Sequence, residues 1–193
     1  MRVIAGNARS LILKTLPGLE TRPTTDRIKE TLFNMIQFDI PGSRFLDLYA
    51  GSGGIGIEAL SRGAKEAVFV DNNPKAVSCI RDNLLHTKFA DHAEVINSDA
   101  VSALTKLNAA EKKPFNIIFM DPPYGMGLED RALAFLSGSS LLDSGTILII
   151  EMKIHSDIDH FSSLPFEIMK VKEYKTNQHV FLKFSNSGLS ERK

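Results

Sequence analysis

The sequence predicts an α/β fold, a doubly wound and mostly parallel sheet of seven strands. Three observations predict it. Short apolar runs alternate with amphipathic stretches along most of the 193 residues. A glycine-rich turn at residues 51–56 separates an apolar run from a helical one. Residues 115–120 are almost wholly apolar, the pattern of a strand covered on both faces.

The elements follow in order. Residues 3–5 and 11–13 are β-type runs around Gly6-Asn7, which suggests a small N-terminal hairpin. Residues 21–26 read as a loop entering a helix cap. Ile28, Leu32, Met35 and Ile36 then keep helical spacing, so residues 25–37 form an amphipathic helix that Pro41-Gly42 closes off. The run 45–49 is the first buried strand, and the helix through residues 57–61 stops at Gly63. Residues 67–70 are the second strand, ending in Asp71. Asn73-Pro74 opens the next helix, with Val77, Ile80 and Leu84 inward. A third strand at 94–96 and a helix at 101–110 precede the strand at 115–120. A helix at 129–136, a strand at 146–150 and a closing hairpin of 166–174 with 179–184 complete the sheet, and residues 185–193 form a polar tail.

Composition narrows the function classes. Lys plus Arg and Asp plus Glu both number 23, so binding of nucleic acid by bulk charge is excluded. The distribution is uneven. Residues 1–30 hold six basic and three acidic side chains, residues 31–166 eleven and seventeen, and residues 167–193 six and three. A local patch for a polyanion remains, best placed at the N-terminus. Cys79 is the single cysteine, which excludes an intrachain disulfide and a cysteine-based zinc site. It reads as packing beside Ile80. His86, His92, His155, His160 and His179 lack metal-ligand spacing and take surface or structural roles. No metal is expected. Without a signal-like or membrane-length apolar run, the expectation is a soluble cytoplasmic protein.

Ligands of doubly wound sheets bind beyond the carboxyl ends of the strands, so four strand ends carry the chemistry. The first is Asp47, then Ala50, Gly51, Ser52 and Gly53. Glycines let backbone N–H groups approach a ligand, and the following helix offers a positive end. A carboxylate at Asp47 suits an ammonium group, such as the methionine end of S-adenosyl-L-methionine. The second is Asp71 with Asn72; an acid here accepts both ribose hydroxyls, while Asn73 serves as the helix cap. The third is Asp99-Ala100, placed either to meet an adenine edge or to cap a helix. The fourth is Asp121, Pro122, Pro123 and Tyr124. Two prolines fix the turn. The Asp121 carboxylate and Pro122 carbonyl present acceptors to a planar NH₂ group, and the Tyr124 ring can stack on a base. A nicotinamide oxidoreductase would explain the glycines and Asp71 but not Asp47 or residues 121–124.

Asp-Pro-Pro-Tyr after the fourth strand resembles the motif of amino methyltransferases. Residues 1–6, 21–34, 46–53 and 58–64 add blocks in family order, and together they resemble the RsmD family, the 16S ribosomal RNA (guanine(966)-N(2))-methyltransferases. The resemblance implies a Rossmann-like class I S-adenosyl-L-methionine-dependent methyltransferase. Its domain spans 43–184 after an N-terminal hairpin-plus-helix extension at 1–42. It also implies a monomer that acts on 16S rRNA in the small ribosomal subunit or its assembly intermediate. The cofactor set becomes Asp47, Ala50, Gly51, Ser52, Gly53, Asp71, Asn72, Asp99 and Ala100, and the catalytic set Asp121 to Tyr124. Arg9, Lys14, Arg22, Thr24 and Arg27 become the RNA-contacting set. Three departures stand out: Asp71 occupies a position where the family often has Glu, the hairpin carries few basic residues, and Tyr174-Lys175 stands where the family tends to have Tyr-Gly. A DNA amino methyltransferase shares the chemistry, but 193 residues leave little room for a sequence-reading domain. A non-catalytic ribosome-assembly factor would not need residues 121–124.

Overall fold

The computed structural model describes residues 1–16, 26–110 and 113–185. The chain divides into two compact units, Met1–Ala100 and Val101–Lys193.

The first unit holds α1 (Asp26–Met35), β1 (Arg44–Leu48), α2 (Gly54–Ser61), β2 (Glu66–Asp71), α3 (Pro74–Thr87) and β3 (Ala93–Asn97). Phe45, Leu46, Leu48, Ile57, Phe69 and Ile80 are buried and make its core. β1, β2 and β3 are parallel, with Leu48 level with Val70 and Val70 level with Ile96. The loops that follow these strands therefore leave from one end. The structure also confirms the cap of α3: the Asn73 side chain accepts from the Lys75 N–H at 3.0 Å, and Pro74 sits in the first turn. That leaves Asp71 out of the capping role.

The N-terminal segment differs from a regular hairpin. It keeps one antiparallel bridge, Arg2 with Ile12, and backbone bonds such as Val3 N–H to the Leu11 carbonyl at 2.9 Å. The reason is that its donors go elsewhere. Ile4 and Ala5 N–H donate to the Glu58 carboxylate at 2.8 and 3.0 Å. Asn7 N–H donates to the Ser61 carbonyl at 2.8 Å, and Ala8 N–H to Ser61 Oγ at 3.0 Å. Gly6 makes this approach possible. Its φ is +80°, and a Cβ there would lie 1.7 Å from the Ser61 carbonyl oxygen.

The second unit follows from α4 (Ala100–Ala109), which begins at the boundary. It holds β4 (Ile117–Met120), α5 (Leu128–Ser137), β5 (Ile147–Lys153), β6 (Phe166–Glu173) and β7 (Asn177–Phe184). β4 and β5 are parallel, with Met120 level with Ile150. β7 runs antiparallel to both β5 and β6. The strand order of the sheet is β3-β2-β1-β4-β5-β7-β6. This is the mostly parallel, seven-stranded, Rossmann-like sheet the sequence predicts. Phe115, Phe119 and Met120 are core residues. β4 is shorter than the apolar run because Phe115 N–H donates to Leu141 and leaves the ladder. β5 is longer than expected because β7 pairs along it as far as Lys153 with Asn177. β6 carries a register shift between Ile168 and Lys170.

Candidate cofactor and substrate site

The first unit brings most of the expected cofactor residues together. β1 ends at Leu48, and Tyr49 adopts φ +64°, a left-handed conformation rare outside glycine. This residue turns the chain over the end of β1, and no sequence signal marks it. Ala50 N–H donates to the Val70 carbonyl at 3.0 Å, and Gly53 N–H to the Ala50 carbonyl at 2.7 Å. Gly51 and Gly53 have φ of +56° and +79°. A Cβ on Gly51 would meet nothing within 4 Å, so the turn is open on that side. α2 begins immediately afterwards, at Gly54.

Asp47 holds this turn from beneath. It is buried, and its Oδ2 accepts the Gly56 N–H at 2.9 Å. Burial pushes its carboxyl up to about 7; the Gly56 hydrogen bond opposes that, and the Asp71 charge adds to it. The folded chain holds this proton between the ordinary 3.8 and about 7, while the unfolded chain has lost it. The stabilisation is therefore complete below about pH 4 and is lost as pH rises through 7. Asp47→Asn carries no ionisable group there. Its unfolding free energy is expected to gain on that of the wild type between pH 5 and 8, as read by urea titration. A difference that stays flat over that range would show that Asp47 ionises normally.

Asp71 ties two loops. Its Oδ2 accepts the Gly51 N–H and its Oδ1 the Asn73 N–H, both at 2.8 Å. Its carbonyl accepts from Ser98 N–H at 3.1 Å and Asn97 Nδ2 at 3.0 Å. An ionised carboxylate has about four acceptor positions, so Asp71 can still take hydroxyl donors. Asn72 and Asp99 are exposed, and Ala100 is buried at the start of α4. Open glycine backbone, the Asp71 carboxylate beside it and a helix N-terminus together suit a ligand with ribose hydroxyls and a charged amino-acid end. S-adenosyl-L-methionine fits that donor set.

The second unit carries the other motif at the carboxyl end of β4. Asp121 is half-buried, Pro122 buried, Pro123 exposed and Tyr124 half-buried. Gly125 and Gly127 follow with φ of +75° and +60°, and α5 starts at Leu128.

Among the expected RNA-contacting residues, Arg9, Lys14 and Arg27 are exposed. Lys14 Nζ pairs with Asp82 at 2.9 Å. Arg22 and Thr24 lie outside the described residues.

Several residues were not singled out from sequence. Glu58 is fully buried and accepts from Arg62 Nε at 2.7 Å as well as from Ile4 and Ala5. Lys29 Nζ lies 3.1 Å from Glu58 and donates to the Arg2 carbonyl at 2.6 Å. Burial lowers the Lys29 pKa, and Glu58 holds it up. Asn83 is buried between the N-terminal segment and Ser52. In the second unit His179, expected in a bland role, is fully buried against Glu151 at 3.1 Å. Asn177 Nδ2 donates to the same carboxylate at 2.7 Å. Burial, then the Glu151 charge, pushes the neighbouring Tyr174 up to about 12. Cys79 packs on α3, as expected, with Sγ 3.5 Å from the Lys14 carbonyl.

Comparison with known proteins adds four findings. The family described as Conserved hypothetical protein 95 matches residues 1–183. YlbH of Bacillus subtilis is 42% identical over 153 residues, 78% of this chain and 82% of that one. Ribosomal RNA small subunit methyltransferase D of Escherichia coli is 38% identical over 160 residues, 82% and 77% of the two chains. The solved structure of the Escherichia coli protein yhhF is similar with a TM-score of 0.81 and 32% identity, over 96% of this chain and 98% of that one.

Proposed function

We propose, for a chain that belongs to the Conserved hypothetical protein 95 family, the RsmD family, that it methylates ribosomal RNA with S-adenosyl-L-methionine. The finer reading is methylation of the exocyclic N2 amine of a guanine in 16S rRNA, at position 966. Asp121, Pro122, Pro123 and Tyr124 at the end of β4 carry that reading. Acceptors without donors select a hydrogen-bond donor such as an amine over a carbonyl or an unprotonated ring nitrogen. The catalytic roles of these four residues and the RNA roles of Arg9, Lys14, Arg22, Thr24 and Arg27 belong to the same proposal.

When bound, the cofactor supplies a methyl group on a positively charged sulfur. In this reading the first unit supplies its site. Asp71 accepts from the ribose hydroxyls, and Asn72 lies beside it. Asp99 and Ala100 meet the adenine edge. Ala50, Gly51, Ser52 and Gly53 give backbone contacts to the methionine end, with Asp47 supporting them. The second unit receives the base. The guanine amine is a poor nucleophile because its lone pair is delocalised into the ring. Hydrogen bonds to the Asp121 carboxylate and the Pro122 carbonyl favour pyramidal nitrogen and aim the lone pair. Asp121 places negative charge beside the nitrogen as that nitrogen becomes cationic, without reorganisation. It is also placed to accept the proton the amine releases. Tyr124 stacks on a base that has left its helix.

The test is methylation of small ribosomal subunits from a strain lacking the corresponding enzyme, with the modified base mapped afterwards. The expected result is label on guanine N2 of 16S rRNA, with short naked fragments poor substrates, since the chain has no net charge for bulk RNA binding. Label on an adenine, a cytosine or a protein would overturn the guanine reading.

A further inference from the structure

We infer that Asn83 is a positioning residue that makes the glycine turn and the N-terminal segment respond to the cofactor as one element. This rests on the cofactor site proposed above. Asn83 lies on α3 and is 1% exposed. Its amide is fully committed. Oδ1 accepts the Lys14 N–H at 2.8 Å. Nδ2 donates to the Lys14 carbonyl at 3.0 Å and to the Ser52 carbonyl at 2.9 Å. Rotating the amide would set its oxygen against two carbonyls and its NH₂ against an N–H, so this orientation is fixed. One side chain thus satisfies both backbone groups of Lys14 and one carbonyl inside the turn. Asn83 is itself buried, so its amide is costly to leave without these partners.

The N-terminal segment is held at two places. Glu58 and Ser61 grip residues 4–8 from α2. Asn83 grips Lys14 and connects it to Ser52. The first grip maintains the fold. The second is the physical link by which a ligand that immobilises residues 50–53 also immobilises Lys14. Lys14 and Arg9 are exposed cations on that segment. The cofactor then preorganises the surface offered to RNA phosphates, and RNA in turn favours the cofactor-bound turn, since linkage is reciprocal.

Hydrogen exchange on the full chain, with and without S-adenosylhomocysteine, tests this. In the wild type the ligand is expected to slow exchange at residues 49–56 and also at residues 10–16. In Asn83→Ala, still folded through the Glu58 grip, residues 49–56 are expected to slow while 10–16 do not. In activity assays on small subunits the variant is expected to raise the cofactor KM more than it lowers kcat. S-adenosylhomocysteine is expected to tighten subunit binding by about fivefold or more in the wild type and to leave it unchanged in the variant. Protection of 49–56 alone in the wild type would overturn the inference, and so would protection of 10–16 that survives in the variant. Protection of 49–56 alone in the wild type overturns the inference whether or not the variant folds. No protection at 49–56 in the wild type would remove the cofactor site itself, and the inference with it.

Discussion

Asp121→Ala is expected to lose about 10²–10³-fold in kcat while keeping its fold and its affinity for S-adenosylhomocysteine. The expectation follows from where the residue stands. Asp121 follows β4, whose four residues are all buried, and it precedes the Pro122-Pro123 turn. The strand and the prolines fix its position, so removing the carboxylate leaves the backbone in place. In the proposed mechanism its role falls on the transition state, where the amine nitrogen gains charge, and not on the ground state. The loss should therefore appear in kcat and kcat/KM alike, with the cofactor dissociation constant unchanged. Asp121→Asn keeps one acceptor and loses the charge, so it is expected to fall between the wild type and Asp121→Ala. Single-turnover methylation of small subunits, alongside calorimetric titration with S-adenosylhomocysteine, separates these quantities. Near-normal turnover by Asp121→Ala would overturn its catalytic assignment.

Glu58→Ala is expected to lower the unfolding free energy by about 3–5 kcal/mol. The Glu58 carboxylate receives Lys29, Arg62 and the N–H groups of Ile4 and Ala5, and it is entirely shielded from water. Alanine leaves the Lys29 ammonium buried without its counter-charge and two backbone donors without an acceptor. Lys29→Met in the same chain is expected to recover part of the loss, because it removes the stranded charge. Urea unfolding of the single and double variants measures both. A loss below about 1 kcal/mol for Glu58→Ala would show that water or another group readily replaces the carboxylate.

The features legible in the sequence were local ones. Asn73-Pro74 is visible as a helix start because capping needs only neighbouring residues. The glycine turn is visible because left-handed backbone favours glycine. Asp71 and Asp121 are visible because each ends an apolar strand. The features that were not legible depend on distant partners. Glu58 sits within a helical block and looks like a surface acid, yet it is the hub for residues 4, 5, 29 and 62. Asn83 reads as an ordinary polar helix residue, and only the return of residue 14 to α3 gives it work. His179 is one of five histidines without useful spacing, and it is Glu151 on the adjacent strand that buries it productively. Tyr49 shows the same limit for backbone: nothing in its residue type announces a positive φ.

The register shift in β6 bears on how the molecule behaves in crowded solution. β6 is the last strand of the sheet and so presents backbone groups that another chain could pair with. Between Ile168 and Lys170 the ladder is broken, and the strand also carries Lys170 and Lys172. A kinked, lysine-bearing rim is a poor template for strand addition. The β6 margin is therefore guarded against growth into fibrillar or edge-to-edge aggregates.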